Sequence, residues 1–319
     1  MKVLRFKGHV QADCAVAAAF AVLALLPGLV RSAQAYETQP ADERIAQEIA
    51  QIRDAEQKAR NPLEIGRMWA KLASDYEDQS EFAKSEEAYN RALRLLEPSS
   101  SERVDYAVVL ENLGSLYAMM GNFALSERCA TRSLAVRVKL GDPLYIALSK
   151  EDLANVHRAM HKYKESRREA LEAYQEMAAL KDSGTDNLVS ALFTLSYVTC
   201  THGGCDGSLQ YARKAWSLVA GAFPLDSTQA GLAHMALGYA AWRAGMPDVP
   251  DAEMREGLKI LKMRLPTGHP YVISALEQYR EFLSASHREA EAEEIAQEKA
   301  QLQGVRSCAN YTVSVQGLR

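Results

Sequence analysis

A 23-residue pattern recurs along this chain at a period near 42 residues, and that self-similarity constrains the fold more than any other feature. KLASDYEDQSEFAKSEEAYNRAL at 71–93 aligns without gaps on NLGSLYAMMGNFALSERCATRSL at 112–134 and DLANVHRAMHKYKESRREALEAY at 152–174. TLSYVTCTHGGCDGSLQYARKAW at 194–216 and ALGYAAWRAGMPDVPDAEMREGL at 236–258 continue the series, and QYREFLSASHREAEAEEIAQEKA at 278–300 is a weaker sixth copy. The register is held by small residues. Ala73, Gly114, Ala154, Ser196 and Gly238 follow one another at spacings of 41, 40, 42 and 42, each preceded by a leucine: Leu72, Leu113, Leu153, Leu195 and Leu237. Twelve residues beyond the first four of these lie Ser85, Ser126, Ser166 and Ser208, and seven further on Ala92, Ser133, Ala173 and Ala215.

Apolar residues fall at helical spacing in both halves of each copy, as in Trp69, Leu72, Ala73, Tyr76 and Leu110, Leu113, Gly114, Tyr117. Turn signals separate the halves: MGN at 120–122, THGG at 201–204 and AGMP at 244–247. Each copy therefore reads as two antiparallel helices whose small residues, set at matching heights, let the backbones approach closely. One such pair cannot bury its apolar face alone, so successive pairs must stack on one continuous core.

A small residue in the first helix, then serine and alanine in the second, resembles the tetratricopeptide repeat. The period near 42 resembles its longer variety, as in kinesin light chain, and the turns RLPTGHPYV at 264–272 and KLGDPLYIA at 139–147 resemble that variety's glycine–histidine–proline turn. The resemblance spans roughly 62–302 and departs from the pattern at Pro250, where serine is expected, and at Arg280, where a small residue is expected. The expected fold is all-α: a right-handed α-solenoid of about six helix-turn-helix repeats over 62–302. A charged lead-in helix occupies 36–61, and a short extended tail follows at 303–319. The resemblance is to the repeat alone, so the motor-related function of kinesin light chain is not implied.

The chain opens MKVLRFKGHVQADC, with Lys2, Arg5 and Lys7, then runs apolar from Ala15 to Val30 and ends the segment with Ala33 and Ala35. A basic start, a short apolar core and an A-x-A pattern read as a secretory signal peptide over 1–35. The apolar run of 16 residues falls short of the roughly 20 that span a bilayer, the alternative being an uncleaved anchor. Without this segment 33 basic residues face 40 acidic ones. An acidic chain with no basic cluster offers no electrostatic footprint for nucleic acid and no polybasic anchor for a membrane surface. The expectation is an exported mature chain, periplasmic or secreted, that does not insert in the membrane.

CTHGGC at 200–205 carries the most chemistry of any short stretch. Cys200 ends the fourth repeat's first helix, and Cys205 takes the slot of Phe82, Phe123 and Tyr163. In an oxidising compartment a disulfide is the preferred reading, with two free thiols or a metal site as alternatives. A structural zinc site needs four ligands, and His202 alone is close by. His157 and His161 stand four apart on one helix, a metal-compatible spacing, but His157 takes the slot of Tyr76 and Tyr117 and reads better as a packed histidine.

No phosphate loop, dinucleotide glycine pattern, nucleophile elbow or H-E-x-x-H helix occurs, and no catalytic residue, cofactor or metal is expected. The resemblance implies a concave groove lined by the first helix of each repeat. One step off the core stripe lie Glu111, Ser115 and Ala118 in repeat two and Glu151, Asn155 and Arg158 in repeat three. Phe193 and Tyr197 follow in repeat four, Met235, Tyr239 and Trp242 in repeat five, and Glu277 and Glu281 in repeat six. Exposed in a concavity, these would anchor a protein or peptide partner; with the register shifted by one residue they would be core. The favoured function is an exported, non-enzymatic protein–protein interaction module. The alternative is a cell-envelope assembly factor or an enzyme whose activity leaves no motif. In the tail, Tyr311, Val313 and Val315 alternate with polar residues, so an extended segment there would either be loose or cover a groove of its own or of a second copy.

Overall fold

The computed structural model describes residues 41–79, 81–97, 104–200, 205, 207–265 and 268–304. The signal-peptide segment and the alternating tail lie outside the described residues. Among the described residues the structure is helical throughout: α1 Ala41–Gln57, α2 Pro62–Asp78, α3 Phe82–Leu96, α4 Val104–Met119, α5 Phe123–Leu140, α6 Pro143–Ala159, α7 Tyr163–Ala179, α8 Thr185–Thr199, α9 Ser208–Ala222, α10 Thr228–Arg243, α11 Val249–Arg264, α12 Pro270–Ala285 and α13 Glu289–Gly304. Even-numbered helices open the six repeats and odd-numbered ones from α3 close them. Each packs on its neighbours in chain order, and α1 lies against α2.

The repeated residues have a local physical cause. Where the two helices cross in repeats three and four, the serine of the second donates to the carbonyl of the small residue in the first: Ser166 Oγ to Ala154 O at 2.6 Å and Ser208 Oγ to Ser196 O at 2.8 Å. In repeats one and two Ser85 and Ser126 are buried at the same place as small residues without that bond. A side chain at Gly114 would place its Cβ 3.2 Å from Cys129 Cβ. At Gly238 it would meet Met254 Cγ at 2.6 Å and the carbonyl of Pro250 at 3.1 Å. Pro250, which replaces the serine of repeat five, thus still abuts the small residue through its backbone. Arg280 in repeat six is accommodated half-buried, with Nη2 donating to Glu277 at 2.6 Å.

The first helices of repeats one, three and six are capped by a side chain just ahead of a proline, two of them by the residue types that favour that position. Asn61 and Asp142 accept from Leu63 N and Leu144 N just ahead of Pro62 and Pro143, and His269 does the same for Tyr271 N ahead of Pro270. The turn inside a repeat needs one left-handed residue. Gly121 and Gly245 supply it at φ 74, whereas His161 and His287 occupy the equivalent positions at φ 59 and φ 58. His161 is thereby a turn residue.

Amphipathicity fades toward the C-terminal half. From Ala191 to Cys200 every side chain of α8 and its cap is buried, and α10 over 230–241 and α12 over 272–279 are nearly so. A helix buried on all sides has neighbours on all sides. Here these are the flanking repeats and the inner face of the solenoid itself.

Candidate partner-binding face

The inner column starts in α6. Glu151 is fully buried, and its Oε1 accepts from Ser190 Oγ at 2.7 Å and Thr194 Oγ1 at 3.0 Å, both on α8. Burial pushes the Glu151 carboxyl up to about 7, with the two hydroxyls working against the shift. Asn155 Nδ2 donates to Glu151 O at 3.0 Å and reaches Thr194 Oγ1 at 3.4 Å. Arg158 is buried too, and burial lowers its pKa despite the Tyr239, Tyr197 and Tyr163 hydroxyls around it.

Farther along, aromatic rings close the column. Tyr197 packs on Tyr239 at 5.2 Å between centroids, Tyr239 on Trp242 at 5.8 Å, and Trp242 on Phe282 at 6.0 Å. Tyr197 also donates its hydroxyl to Gln278 Oε1 at 3.2 Å, a bond from α8 to α12 that skips α10. Phe193 and Met235 are buried in the same cluster. At the end Glu277 is buried and accepts from Arg280 and from Lys299 Nζ at 2.5 Å. Burial opposes its ionisation, but these two cations outweigh burial and hold the carboxyl below its usual range. Glu281 is half-buried, and burial followed by the charge of Glu277 raises its pKa.

These residues share one inner column, but Phe193, Tyr197, Met235, Tyr239, Glu151, Asn155, Arg158 and Glu277 are buried and Trp242 and Glu281 half-buried. The expected open aromatic groove is corrected on this point. The solenoid curves tightly enough for first helices two repeats apart to meet, so the side chains aimed inward pack on one another. Whether a partner reaches them is a separate matter from their packing.

Among the described residues, four of the six exposed large apolar side chains sit in α4, α5 and α6: Val104 (52 % exposed), Val108 (38 %), Val138 (56 %) and Tyr145 (42 %). Their concentration in repeats two and three, rather than around the molecule, sets this surface apart. Glu111, one turn beyond Val108, anchors it. Its carboxylate accepts from Arg137 Nε at 3.0 Å and Nη2 at 2.9 Å, Ser133 Oγ at 2.7 Å and Ser149 Oγ at 3.4 Å. The Arg137 side chain is 1 % exposed, and its guanidinium lies 4.2 Å from the centroid of Tyr145. Ser115 is half-buried on the same helix and Ala118 fully buried. The sequence reading missed Arg137 and the valines. The available signal was a pair of valines four apart, one turn ahead of the glutamate.

Cys200 and Cys205 form a disulfide with Cα atoms 4.4 Å apart, the staple expected of CTHGGC. In this repeat the second helix starts at Ser208, three residues later than the aromatic-led α3, α5 and α7, after a left-handed Gly207 at φ 93. His157 and His161 do not converge. His157 Nδ1 lies 2.6 Å from Glu169 Oε2 and Nε2 2.9 Å from Glu127 Oε1, while His161 Nδ1 faces the Tyr163 hydroxyl at 2.6 Å. Among the described residues no group of three or more histidines, cysteines and carboxylates could hold a metal, and no helix is long and apolar enough to cross a membrane.

Residues 64–137 match the family model of the tetratricopeptide repeat. The whole fold is similar to that of solved proteins at low sequence identity. The apo form of RapI superposes with a TM-score of 0.68 at 15% identity, covering 83% of this chain and 93% of that one. Aspartyl phosphate phosphatase F from Bacillus subtilis gives 0.67 at 10% identity, covering 86% and 72%. A Rap protein complexed with Competence and Sporulation Factor gives 0.62 at 14% identity, covering 83% and 71%. No curated protein matches the sequence. Residues 64–137 thus match the tetratricopeptide repeat, and the described residues fold as an α-solenoid similar to those of these structures.

Proposed function

We propose that this protein is an exported, non-enzymatic interaction module that holds a protein or peptide partner on the inner face of its solenoid, at the part formed by α4, α5 and α6. One observation carries the reading: the exposed apolar side chains Val104, Val108, Val138 and Tyr145 lie on the three helices that hold the Glu111–Arg137 ion pair, with Tyr145 against the Arg137 guanidinium, while the inner column from α6 onward is packed. An apolar surface fixed by a rigid polar anchor suits a partner's aliphatic or aromatic side chains, with little ordering cost on this side. A protein of similar fold has been solved with a bound factor, which supports a binding role for this architecture.

Substitution Val108→Asp is expected to weaken partner binding by on the order of 2 kcal/mol, about thirtyfold, since it puts an unpaired charge at the centre of the surface. An exposed site should change stability by less than about 0.5 kcal/mol. Titration of the purified partner against both proteins, alongside thermal melts, checks both halves. Unchanged affinity removes this surface from the account.

Export rests on the leader-like segment at 1–35 and is supported by the Cys200–Cys205 bond, since disulfides persist in oxidising compartments. Intact mass of the protein recovered outside the cytoplasm is expected to correspond to a chain starting near Tyr36. A mass that retains the segment overturns cleavage.

A further inference from the structure

The joint between the second and third repeats contains a histidine that the binding surface does not use. The slot three residues after the small residue of the first helix holds Tyr117 in repeat two and His157 in repeat three. Tyr117 donates its hydroxyl to Glu86 Oε1 on α3 at 2.9 Å, tying repeat two to repeat one. The equivalent of Glu86 one repeat later is Glu127 on α5, and His157 Nε2 meets it at 2.9 Å. So far the two joints are alike. The difference lies in the residue three beyond the repeated serine. In repeat two it is the apolar, buried Cys129; in repeat three it is Glu169 on α7, 2.6 Å from His157 Nδ1.

A phenol has one proton to give and one acceptor to give it to. The imidazole of His157 has a carboxylate oxygen on each nitrogen. A neutral ring carries a single N–H and presents a lone pair at its other nitrogen, so one contact would set lone pair against anionic oxygen. Both contacts are satisfied together by the doubly protonated ring. Each acceptor also has a cation beside it. Lys162 Nζ donates to Glu127 Oε1 at 2.7 Å and Arg168 Nη2 to Glu169 Oε1 at 3.2 Å. The hydrogen bond from Lys162 chiefly holds the Glu127 carboxyl below its usual range. Glu169 from α7 and Glu127 from α5 are the ionisable side chains acting on the ring, while Arg128 beside Glu127 is exposed and His161 on the same helix is turned to Tyr163.

We propose that His157 is a proton-operated clasp between the second and third repeats: as imidazolium it ties α6 to both α5 and α7, and on losing its proton it keeps one carboxylate and releases the other. Nδ1–Glu169 is the shorter contact and lies within repeat three, so the bond given up is the one to Glu127, across the repeat boundary.

The hydrogen bond with Glu169 is the main cause that raises the His157 pKa, ahead of opposing burial. A group raised above its unfolded value of 6.5 contributes stability that is fully present below about pH 6.5 and is lost as pH rises through the folded value. Glu151 and Glu77, both pushed up to about 7 by burial, also make stability fall with pH, their loss running upward from about 4.5 and complete near 7, and Asp152, raised well above its ordinary value by burial, adds a loss of the same sign. Their window overlaps the lower edge of the histidine's, so a probe of the ring itself is needed.

The test is an NMR titration of the His157 ring in the full chain, with thermal melts of wild type and His157→Tyr between about pH 6 and pH 9. The expected result is a ring midpoint above 6.5 and a wild-type melting temperature that falls above pH 7. That fall should be largely absent in His157→Tyr, which restores the single-donor joint of repeat two. Glu127→Gln, which keeps a folded joint without the anion, is expected to move the ring midpoint back toward 6.5. A wild-type midpoint at or below 6.5 overturns the proposal, as does a pH-dependent fall in His157→Tyr equal to that of wild type.

Discussion

Tyr197→Ala is expected to destabilise the protein by about 3–5 kcal/mol, the cost of emptying an aromatic-sized space in a core. Tyr197 lies on the inner face, yet its ring packs on Tyr239 and its hydroxyl bonds to Gln278 two repeats away. Truncation removes the ring contacts, leaves a void among Phe193, Met235 and Tyr239, and frees the carbonyl oxygen of a fully buried glutamine side chain. Tyr197→Phe separates the contributions. It keeps the packing and loses one buried hydrogen bond, so its cost should be about 1 kcal/mol. Urea denaturation of the three proteins gives the comparison. Had the aromatics formed an open groove, Tyr197→Ala would leave stability almost unchanged and reduce partner affinity alone.

The second large effect is expected at Glu111. Its carboxylate is the acceptor for two nitrogens, Nε and Nη2, of a guanidinium on a side chain only 1 % exposed, and for two serines besides. Glu111→Ala takes from the enclosed Arg137 cation its hydrogen-bonded counter-charge, and the neighbouring Asp152, whose ionisation burial opposes, is no ready replacement. Breaking such a pair from one side costs about 3–5 kcal/mol. The double variant Glu111→Ala with Arg137→Met is expected to recover much of that loss, because it removes the stranded charge and keeps the volume. Equal instability of the single and double variants would show that the pair's geometry, rather than its charge balance, holds α4 to α5.

The repeat could be read from the sequence because its signature is steric and local. Ala154 and Ser166, or Gly114 and Cys129, meet at a helix crossing that tolerates no larger side chain, so the same residue types return at the same spacing. The direction of the inner column could be read for the same reason, since it follows from helical periodicity once the crossing is known. Its closure could not. Tyr197 reaching Gln278 depends on the rotation accumulated over two repeats, and no single repeat encodes that sum. The scarcity of charged residues on α8 and α10 was the sequence's one trace of it. Arg137 was hidden for a different reason: an arginine on the second helix of a repeat looks like any solvated cation until its partner on the first helix is placed. The disulfide was legible because cysteine spacing, an intervening glycine turn and a leader-like N-terminus point the same way.

The central claim, a partner held on the inner face at repeats two and three, is tested most directly by site-specific photo-crosslinking in the cells that make the protein. A photoreactive residue replaces Val108 in one strain and Met263, a more solvent-accessible apolar site on the fifth repeat's second helix, in another. The account predicts a discrete cross-linked protein from position 108 that is lost when Val104→Asp is added, and none from position 263. The same product from both positions, or a product from position 263 alone, would contradict it.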